Sequence, residues 1–291
     1  MINQKIVILG GSGYIGRELS SFIKLVKPGA DIIALSSRDI DLTDCKAGEY
    51  LDEILDEQTI LYICAGIKKQ LGDNLTTFRK NISITQNILE SKRISKCKKT
   101  IFLSSAEVYG ENINNLKISE TTPCLPSSYY GLSKKSSEEL FELVYNKTGG
   151  KGLILARMPL VYGPRESQNI YGPSGFAANS KVGQNQTLWG DGTEKRNFLF
   201  VDDLIQVLFF IGNSEFQGVV NIANSASNTF QEIIEVLAEL NFNLTVNQKV
   251  RTKGKVDQGY DISLLKKIFQ GYKPHSLKEG IEKVLSIKGM K

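Results

Sequence analysis

The sequence predicts an α/β protein with a doubly wound parallel sheet and a smaller C-terminal lobe. Short apolar runs rich in branched residues recur along the first half of the chain, separated by amphipathic stretches of helical spacing. Such runs are typical of strands that are buried on both faces of a parallel sheet. A glycine-rich turn directly after the first run supports the same architecture. The clearest predicted strands are 5–9, 31–35, 59–64, 99–103 and 153–157.

Composition limits the classes of partner. The 291 residues, 41% hydrophobic and 23% charged, suit a soluble globular protein with a sizeable core. The net charge of +5 is mild and the basic residues are scattered, so we expect no nucleic-acid partner, although a phosphorylated ligand would be attracted. No apolar run approaches membrane-spanning length, and no signal peptide is evident, so we expect no membrane partner.

Cysteine and histidine usage argues against a metal centre. The four cysteines are far apart and lack metal-ligand spacing, which favours a reducing cytoplasm as the location. His275 is the only histidine, so neither a His-rich metal site nor a Ser-His-Asp triad is expected. We expect His275 to be structural.

The first glycine turn has the features of a dinucleotide-binding turn. Gly10 permits the tight turn, Gly13 allows the backbone to approach a pyrophosphate, and Gly16 lets the following helix pack on the strand. The helix, predicted over 17–25, would present its free N–H groups to the phosphates. The predicted cofactor contacts from this turn are Gly10, Ser12, Gly13, Tyr14, Ile15 and Gly16.

The second predicted strand ends without a carboxylate. Ser36, Ser37 and Arg38 follow it instead, and two hydroxyls with a guanidinium suit a 2′-phosphate. This favours NADP(H) as the cofactor and leaves NAD(H) open. The alternative is that Arg38 pairs on the surface with Asp39 or Asp41. After the third strand, the small residues Ala65 and Gly66 leave room for a cofactor to pass.

Tyr130 and Lys134 are the candidate acid–base pair. They are four residues apart, so on a helix they share one face. The lysine ammonium would favour the phenolate and bring the tyrosine pKa toward neutrality. The alternative is two neighbours on a helix surface. Tyr129 has Ser133 four residues on, so Tyr130 is the acid–base residue, while Tyr129 is expected to pack or to line the substrate pocket.

Together, these motifs resemble those of the extended short-chain dehydrogenase/reductases, the NAD(P)-dependent nucleotide-sugar epimerase/dehydratase family. The turn reads G-x-x-G-x-x-G, and residues 104–110 match S-S-x-x-V-Y-G. Residues 157–164 match R-x-x-x-V-Y-G-P, and 190–203 match G-x-G-x-x-x-R-x-F-x-x-V-D-D. The resemblance implies a Rossmann domain and a substrate lobe. We expect the Rossmann domain over 1–162 with a return segment at about 196–223, and the lobe over 163–195 and 224–291.

The resemblance also implies roles for individual residues. Ser105 would orient the reacting carbonyl, Lys134 would hold the nicotinamide ribose, and Arg196 would contact the substrate diphosphate. Asn81 would support the site from behind, and a homodimer would form through the helices of Asn81 and Tyr130. Further implied cofactor contacts are Asp41, Leu42 and Pro159, and the implied substrate contacts are Ser105, Ala106, Tyr129, Arg165, Trp189 and Arg196.

The expected chemistry is hydride transfer on a nucleoside-diphosphate sugar. Two segments resemble GDP-fucose synthases, but Ala106 stands where those enzymes have a catalytic cysteine. We therefore expect an NADP(H)-dependent reductase of an NDP-4-keto-6-deoxyhexose. The alternative is a nucleotide-sugar 4-epimerase with a retained cofactor, and a dehydratase or decarboxylase that uses Glu107 as a catalytic residue is a further one. A non-catalytic nucleotide-binding regulator is the minor alternative. The polar loop 166–175 is a candidate lid.

Overall fold

The computed structural model describes residues 4–166 and 172–286. Its strands are β1 Lys5–Leu9, β2 Asp31–Leu35, β3 Ile60–Ile63, β4 Lys99–Leu103, β5 Asn115–Ile118, β6 Leu153–Arg157, β7 Leu160–Tyr162, β8 Gln186–Trp189, β9 Lys195–Arg196, β10 Phe198–Phe200, β11 Gly218–Asn221, β12 Asn228–Thr229, β13 Val246–Lys249 and β14 Gln258–Tyr260. Its α-helices are α1 Tyr14–Val26, α2 Ala47–Ile54, α3 Leu75–Leu89, α4 Tyr129–Thr148, α5 Gly172–Lys181, α6 Val201–Gly212, α7 Phe230–Glu239, α8 Ser263–Ile268 and α9 Leu277–Ser286.

A six-stranded sheet in the order β11-β6-β4-β3-β1-β2 carries the predicted strands. The registered pairs from β2 across to β6 are all parallel, which confirms the predicted fold class. The strands with the predicted bounds are β1, β2, β4 and β6. The apolar runs of β1, β4 and β6 are buried along nearly their whole length, and β2 lies at the edge of the sheet. The parallel registers bring the carboxyl ends of β1, β3 and β4 to one edge, which is where open α/β sheets place their chemistry.

Helix ends follow local capping. α1 begins at Tyr14, three residues before its predicted start, immediately after Gly13. α2 ends at Ile54 because Leu55 adopts an extended conformation. The α3 N-terminus is a capping box in which the Asn74 side chain accepts from Thr76 N and Thr77 N. Residues 167–171 of the candidate lid lie outside the described residues, and α5 begins at Gly172, within the predicted loop.

The chain divides into two compact units. The first comprises 1–111, 120–158 and 205–220, and the second comprises 112–119, 159–204 and 221–291. These bounds differ from the predicted domains. Residues 112–119 belong to the second unit because β5 pairs with β14, and 159–162 belong there because β7 pairs with β10.

The second unit has its own core around Phe198 and Phe200, packed by α5, α7 and α9. Asp202 and Asp203 lie in the first turn of α6. Asp203 accepts from the His275 backbone N–H at 2.9 Å and contacts its ring Nδ1 at 2.6 Å, while Asp202 pairs with Lys283. His275 therefore ties the segment before α9 to α6, in line with the expected structural role.

Two features of the described residues bear on function classes. None of the helices described is both long and apolar enough to cross a bilayer. The same residues hold no group of three or more histidine, cysteine or acidic side chains placed to bind a metal ion, and all four cysteines are free thiols.

The packing of α4 on the sheet gives a stability prediction. Phe141 is fully buried and its ring lies 5.0 Å from that of Phe102 on β4. We expect Phe141→Ala to lower the free energy of unfolding by about 3–5 kcal/mol in urea titrations, because it removes a large side chain from a packed core. Leu143 is on the same helix but 49% exposed. Leu143→Ala should cost less than about 1 kcal/mol, and equal losses would contradict the assignment of the buried face.

Candidate active site

The glycine turn forms a cradle that a dinucleotide pyrophosphate fits. Gly10 has a φ of +84°, a value that favours glycine. Gly10 N and Gly11 N both donate to the Leu35 carbonyl, at 2.9 and 2.7 Å, and so fix the turn to the end of β2. No side chain caps α1 at Gly13. A Cβ on Gly16 would overlap the Gly10 carbonyl oxygen, so the helix approaches the turn as closely as glycine permits.

The turn after β2 is organised by a carboxylate. Asp39 Oδ2 accepts from both Ser36 N and Ser36 Oγ at 2.7 Å. These hydrogen bonds, together with a smaller effect of the Arg38 charge, lower the pKa of Asp39. Arg38 is exposed and its backbone N–H donates to Ser36 Oγ at 3.2 Å. The Ser36 hydroxyl thus donates its proton to Asp39. The sequence had indicated Asp39 only as a possible partner of Arg38.

Asp41 closes a similar turn one step further along the chain. Its carboxylate accepts from Thr43 N at 2.8 Å and from Thr43 Oγ1 at 2.7 Å, while Leu42 is buried. Asp41 is exposed, and the side-chain and backbone hydrogen bonds from Thr43 lower its pKa. Ser37 is also exposed. The segment after β2 therefore carries two ionised carboxylates, Asp39 near the charge of Arg38 and Asp41 near that of Lys80.

The end of β3 is held from behind by Asn81, as expected. Asn81 Oδ1 accepts from Ile67 N at 2.8 Å, and its Nδ2 donates to the Ile67 carbonyl at 3.1 Å and to Ser133 Oγ at 3.3 Å. One amide thus joins α3, α4 and the segment after Gly66. Gly66 has a φ of +152°, and a Cβ there would lie 3.6 Å from Lys134 Nζ.

The structure brings Ser105, Tyr130 and Lys134 together. The Ser105 side chain lies close enough to the Tyr130 hydroxyl to lower the pKa of that phenol. Ser105, which is 8% exposed, also accepts from Glu107 N at 3.2 Å and so caps the short 3₁₀ helix Ala106–Tyr109. Lys134 Nζ donates to the Leu103 carbonyl of β4 at 2.7 Å and lies 6.0 Å from the centre of the Tyr130 ring.

Burial controls the acid–base properties of the pair. It raises the pKa of Tyr130 to about 12, with a further contribution from the Glu107 charge, while the Ser105 side chain opposes the rise. Burial also lowers the pKa of Lys134 to about 8, opposed by Cys64 and Glu138. The predicted fall of the Tyr130 pKa toward neutrality is therefore wrong for this structure, because desolvation and the Glu107 charge raise the pKa, and the Leu103 carbonyl engages the Lys134 ammonium.

Glu107 is close to Tyr130 but engaged elsewhere. Its Oε2 lies 3.4 Å from Lys69 Nζ and accepts from Ser128 Oγ at 3.3 Å. Lys69 also pairs with Glu111. The neighbouring Ala106 N–H donates to the Met158 carbonyl at 2.8 Å. Glu107 is thus half-buried beside the acid–base residue with its charge balanced by a lysine.

Tyr129 is not part of the core. It is the first residue of α4 and 44% exposed, so the predicted packing role is wrong and only the predicted substrate contact remains. Ser133, which stands four residues after Tyr129, is fully buried and donates to the Tyr130 carbonyl at 2.8 Å.

The remaining predicted contacts belong to the second unit. Arg196 pairs with Glu194 and donates to the Val256 carbonyl. Glu194 also pairs with Arg251, a residue that sequence reasoning did not identify. Trp189 is 54% exposed with Lys249 Nζ 5.4 Å from its ring. Pro159 and Arg165 lie in the same unit, and Arg165 has a φ of +63°.

Fold and site geometry are those of an enzyme of the extended short-chain dehydrogenase/reductase class, with a glycine-rich turn after β1 and with Ser105, Tyr130 and Lys134 brought together at the end of β4. The model of the NAD dependent epimerase/dehydratase family matches residues 6–223, and the chain belongs to that family. It is 28% identical to the putative UDP-glucose 4-epimerase of Methanocaldococcus jannaschii, over 97% of both chains.

Solved structures share the fold. The UDP-glucose 4-epimerase of Thermotoga maritima with UDP-glucose has a TM-score of 0.83 at 24% identity, covering 97% of both chains. The UDP-glucose 4-epimerase of Thermus thermophilus in complex with NAD has a TM-score of 0.82 at 23% identity, again over 97% of both chains. At these identities the likeness establishes the fold alone.

The cradle at Gly16 gives a binding prediction. Gly16→Ala should weaken NADH binding by about ten-fold or more, measured by NADH fluorescence, because the new Cβ pushes α1 away from the turn that holds the pyrophosphate. Gly29 provides the control, since a Cβ there would meet nothing within 4 Å. Gly29→Ala should bind NADH as the wild type does. Equal weakening in both variants, or none in Gly16→Ala, would remove this turn from the cofactor site.

Proposed function

We propose that the protein is an NAD-dependent epimerase that inverts C4 of a hexose carried on a nucleoside diphosphate. The observation that carries the proposal is that Ser105 and Lys134 both lie beside the Tyr130 side chain, with Lys134 Nζ held by the Leu103 carbonyl. Such a group can move a proton to and from a sugar hydroxyl. The relative and the two solved structures compared above are named as 4-epimerases of UDP-glucose. They support epimerisation better than they support the reduction of a 4-keto sugar that the sequence led us to expect.

Each residue of the centre has a distinct task. Tyr130 would take the proton of the C4 hydroxyl and later return it. Ser105 would donate to the same oxygen and hold it beside Tyr130. Lys134, fixed by the Leu103 carbonyl, would supply the positive charge that stabilises the tyrosinate. The nicotinamide cofactor, held by the glycine turn, would supply the hydride chemistry.

The turn after β2 favours NAD(H) over NADP(H). The sequence suggested NADP(H) because Ser36, Ser37 and Arg38 could bind a 2′-phosphate. In the structure the Ser36 hydroxyl serves Asp39, whose ionised carboxylate would repel a phosphate and could accept from a ribose hydroxyl. An epimerase keeps its cofactor through both half-reactions, and such a retained cofactor is compatible with NAD. A reductase instead consumes NADPH in each turnover.

Dehydration, decarboxylation and a purely regulatory role have less support from the site. A dehydratase or decarboxylase would need Glu107 as a free acid or base, but Lys69 and Ser128 occupy its carboxylate. The neighbouring residue, Ala106, supplies no second acidic group. A non-catalytic regulator would have no use for the assembled Ser-Tyr-Lys centre.

We further propose the assembly and location of the enzyme. The apolar side chain of Leu132 is exposed on α4, and that of Leu75 is exposed on α3, which is compatible with a homodimer through these helices. The four free thiols suit a reducing cytoplasm. Arg196 is the proposed contact for the substrate diphosphate, exchanging its pairing with Glu194 for the phosphates.

The function is tested by incubating the protein with UDP-glucose and analysing the sugar nucleotides. We expect UDP-galactose without net oxidation or reduction of cofactor. Tyr130→Phe should lower kcat by about 10²-fold or more, because the proton carrier is lost, while NADH binding persists. Tyr129→Phe is the comparison and should lose much less. NADPH-dependent reduction of an NDP-4-keto-6-deoxyhexose, with no epimerisation, would instead support the reductase.

Cofactor choice is tested on the β2 turn. The wild type should bind NADH more tightly than NADPH. Asp39→Asn removes the repelling charge, so it should tighten NADPH binding by about ten-fold relative to NADH. Arg38→Ala should instead bind NADPH more weakly than the wild type does. A wild-type preference for NADPH that Asp39→Asn leaves unchanged would restore the cofactor expected from the sequence.

A further inference from the structure

A buried ion pair lies directly behind the catalytic residues. Glu138 is four residues after Lys134 on α4 and is fully buried, and Arg157 at the end of β6 is 5% exposed. Arg157 Nε donates to Glu138 Oε1 at 3.0 Å and Nη2 donates to Oε2 at 2.7 Å. The two charges thus meet in a bidentate arrangement, which is geometrically strict.

Each partner of the pair also contacts the segment that carries Ser105. Ser104 Oγ donates to Glu138 Oε1 at 2.5 Å. Arg157 Nη1 donates to Tyr109 Oη at 3.0 Å, and its guanidinium lies 4.9 Å from the centre of that ring. Ser104 precedes Ser105, and Tyr109 ends the 3₁₀ helix that Ser105 caps. The ion pair therefore contacts this segment at one residue before Ser105 and at one residue after it in the sequence.

The same carboxylate acts on Lys134 through its charge. The titratable groups that influence the buried ammonium are Cys64 at the end of β3 and Glu138 on its own helix, with the Tyr130 ring beside it. Burial lowers the pKa of Lys134, and Glu138 opposes that fall. Removing the Glu138 charge would leave Arg157 as an additional nearby cation, so the lysine would lose its proton more easily.

We propose that Glu138 is a positioning residue that sets the Ser105–Tyr130 geometry and keeps Lys134 charged, with Arg157 as its anchor. The proposal rests on the proposed epimerase function for its kinetic consequence. A buried ion pair is not in itself evidence of stabilisation, because its desolvation cost can exceed its attraction. This pair is placed where its geometry bears on catalysis, since it joins α4 to the segment around Ser105.

The test compares two substitutions with a matched control. Glu138→Gln removes the charge, and Ser104→Ala removes one hydrogen bond while both charges stay. We expect kcat for UDP-glucose epimerisation to fall by about 10²-fold and about ten-fold, respectively, because small displacements of a reacting group are costly. KM should stay within about two-fold, since the nucleotide contacts are untouched. Glu139→Gln, one residue on and paired only with Lys135 on the surface, should match the wild type.

A second readout needs neither turnover nor cofactor. NMR titration of the lysine side chains, with Lys134 assigned through Lys134→Met, should give a midpoint near 8 in the wild type. Glu138→Gln should move this midpoint to lower pH, whereas Ser104→Ala and Glu139→Gln should not. If Glu138→Gln fails to fold, the double variant Glu138→Gln/Arg157→Met, which removes both charges, takes its place in the titration.

The outcomes separate the two proposals. In Glu138→Gln, a kcat that falls without a shift of the Lys134 midpoint would reduce the pair to a structural role and overturn the electrostatic part. Unchanged kcat in Ser104→Ala and in a folded Glu138 variant would overturn the positioning role. A wild type that does not epimerise any nucleotide sugar would defeat the proposed function, while the midpoint shift would still decide whether Glu138 keeps Lys134 charged.

Discussion

The contact between α4 and the end of β4 is the constraint on which the site depends. Lys134 reaches across it to the Leu103 carbonyl, and Tyr130 reaches across it to Ser105. A lysine buried in a protein needs compensation for its lost hydration, and a backbone carbonyl at 2.7 Å provides part of it. The packing of Phe141 on Phe102 keeps helix and strand in register beneath these polar contacts. The acid–base centre therefore exists only where the helix and the sheet meet.

How far the sequence could predict this arrangement depends on the range of the forces involved. The strands of the first unit followed from apolar runs, because burial on both faces leaves a local signature in the chain. The Tyr130–Lys134 pair and the glycine turn followed from spacing. Glu138 continues the same four-residue spacing, so the sequence held a signal for it. Its partner Arg157 comes from β6, and no local pattern joins the two.

Several features depended on contacts that spacing does not encode. The Asp39–Ser36 turn is the basis on which we propose NAD(H), because the conformation of a short turn decides which groups remain free. Residues 112–119 moved to the second unit because β5 pairs with β14, far along the chain. The pKa of Tyr130 was misjudged because the lysine charge could be read from the sequence, whereas the burial of the phenol could not. The roles given to Arg165, Trp189 and Arg196 stay predictions.

The two pKa shifts define what an epimerase would need from this centre. A phenol with a pKa of about 12 readily donates a proton to a developing alkoxide, but it accepts one from a sugar hydroxyl only if a cation stabilises the tyrosinate. Lys134 is the cation beside it, and with a pKa of about 8 it is about nine-tenths protonated at pH 7. A further fall in the pKa of Lys134 would deprotonate its ammonium within the physiological pH range. A carboxylate that holds Lys134 protonated therefore favours the start of the oxidative half of the cycle, where the phenolate must be present to take the proton of the sugar hydroxyl.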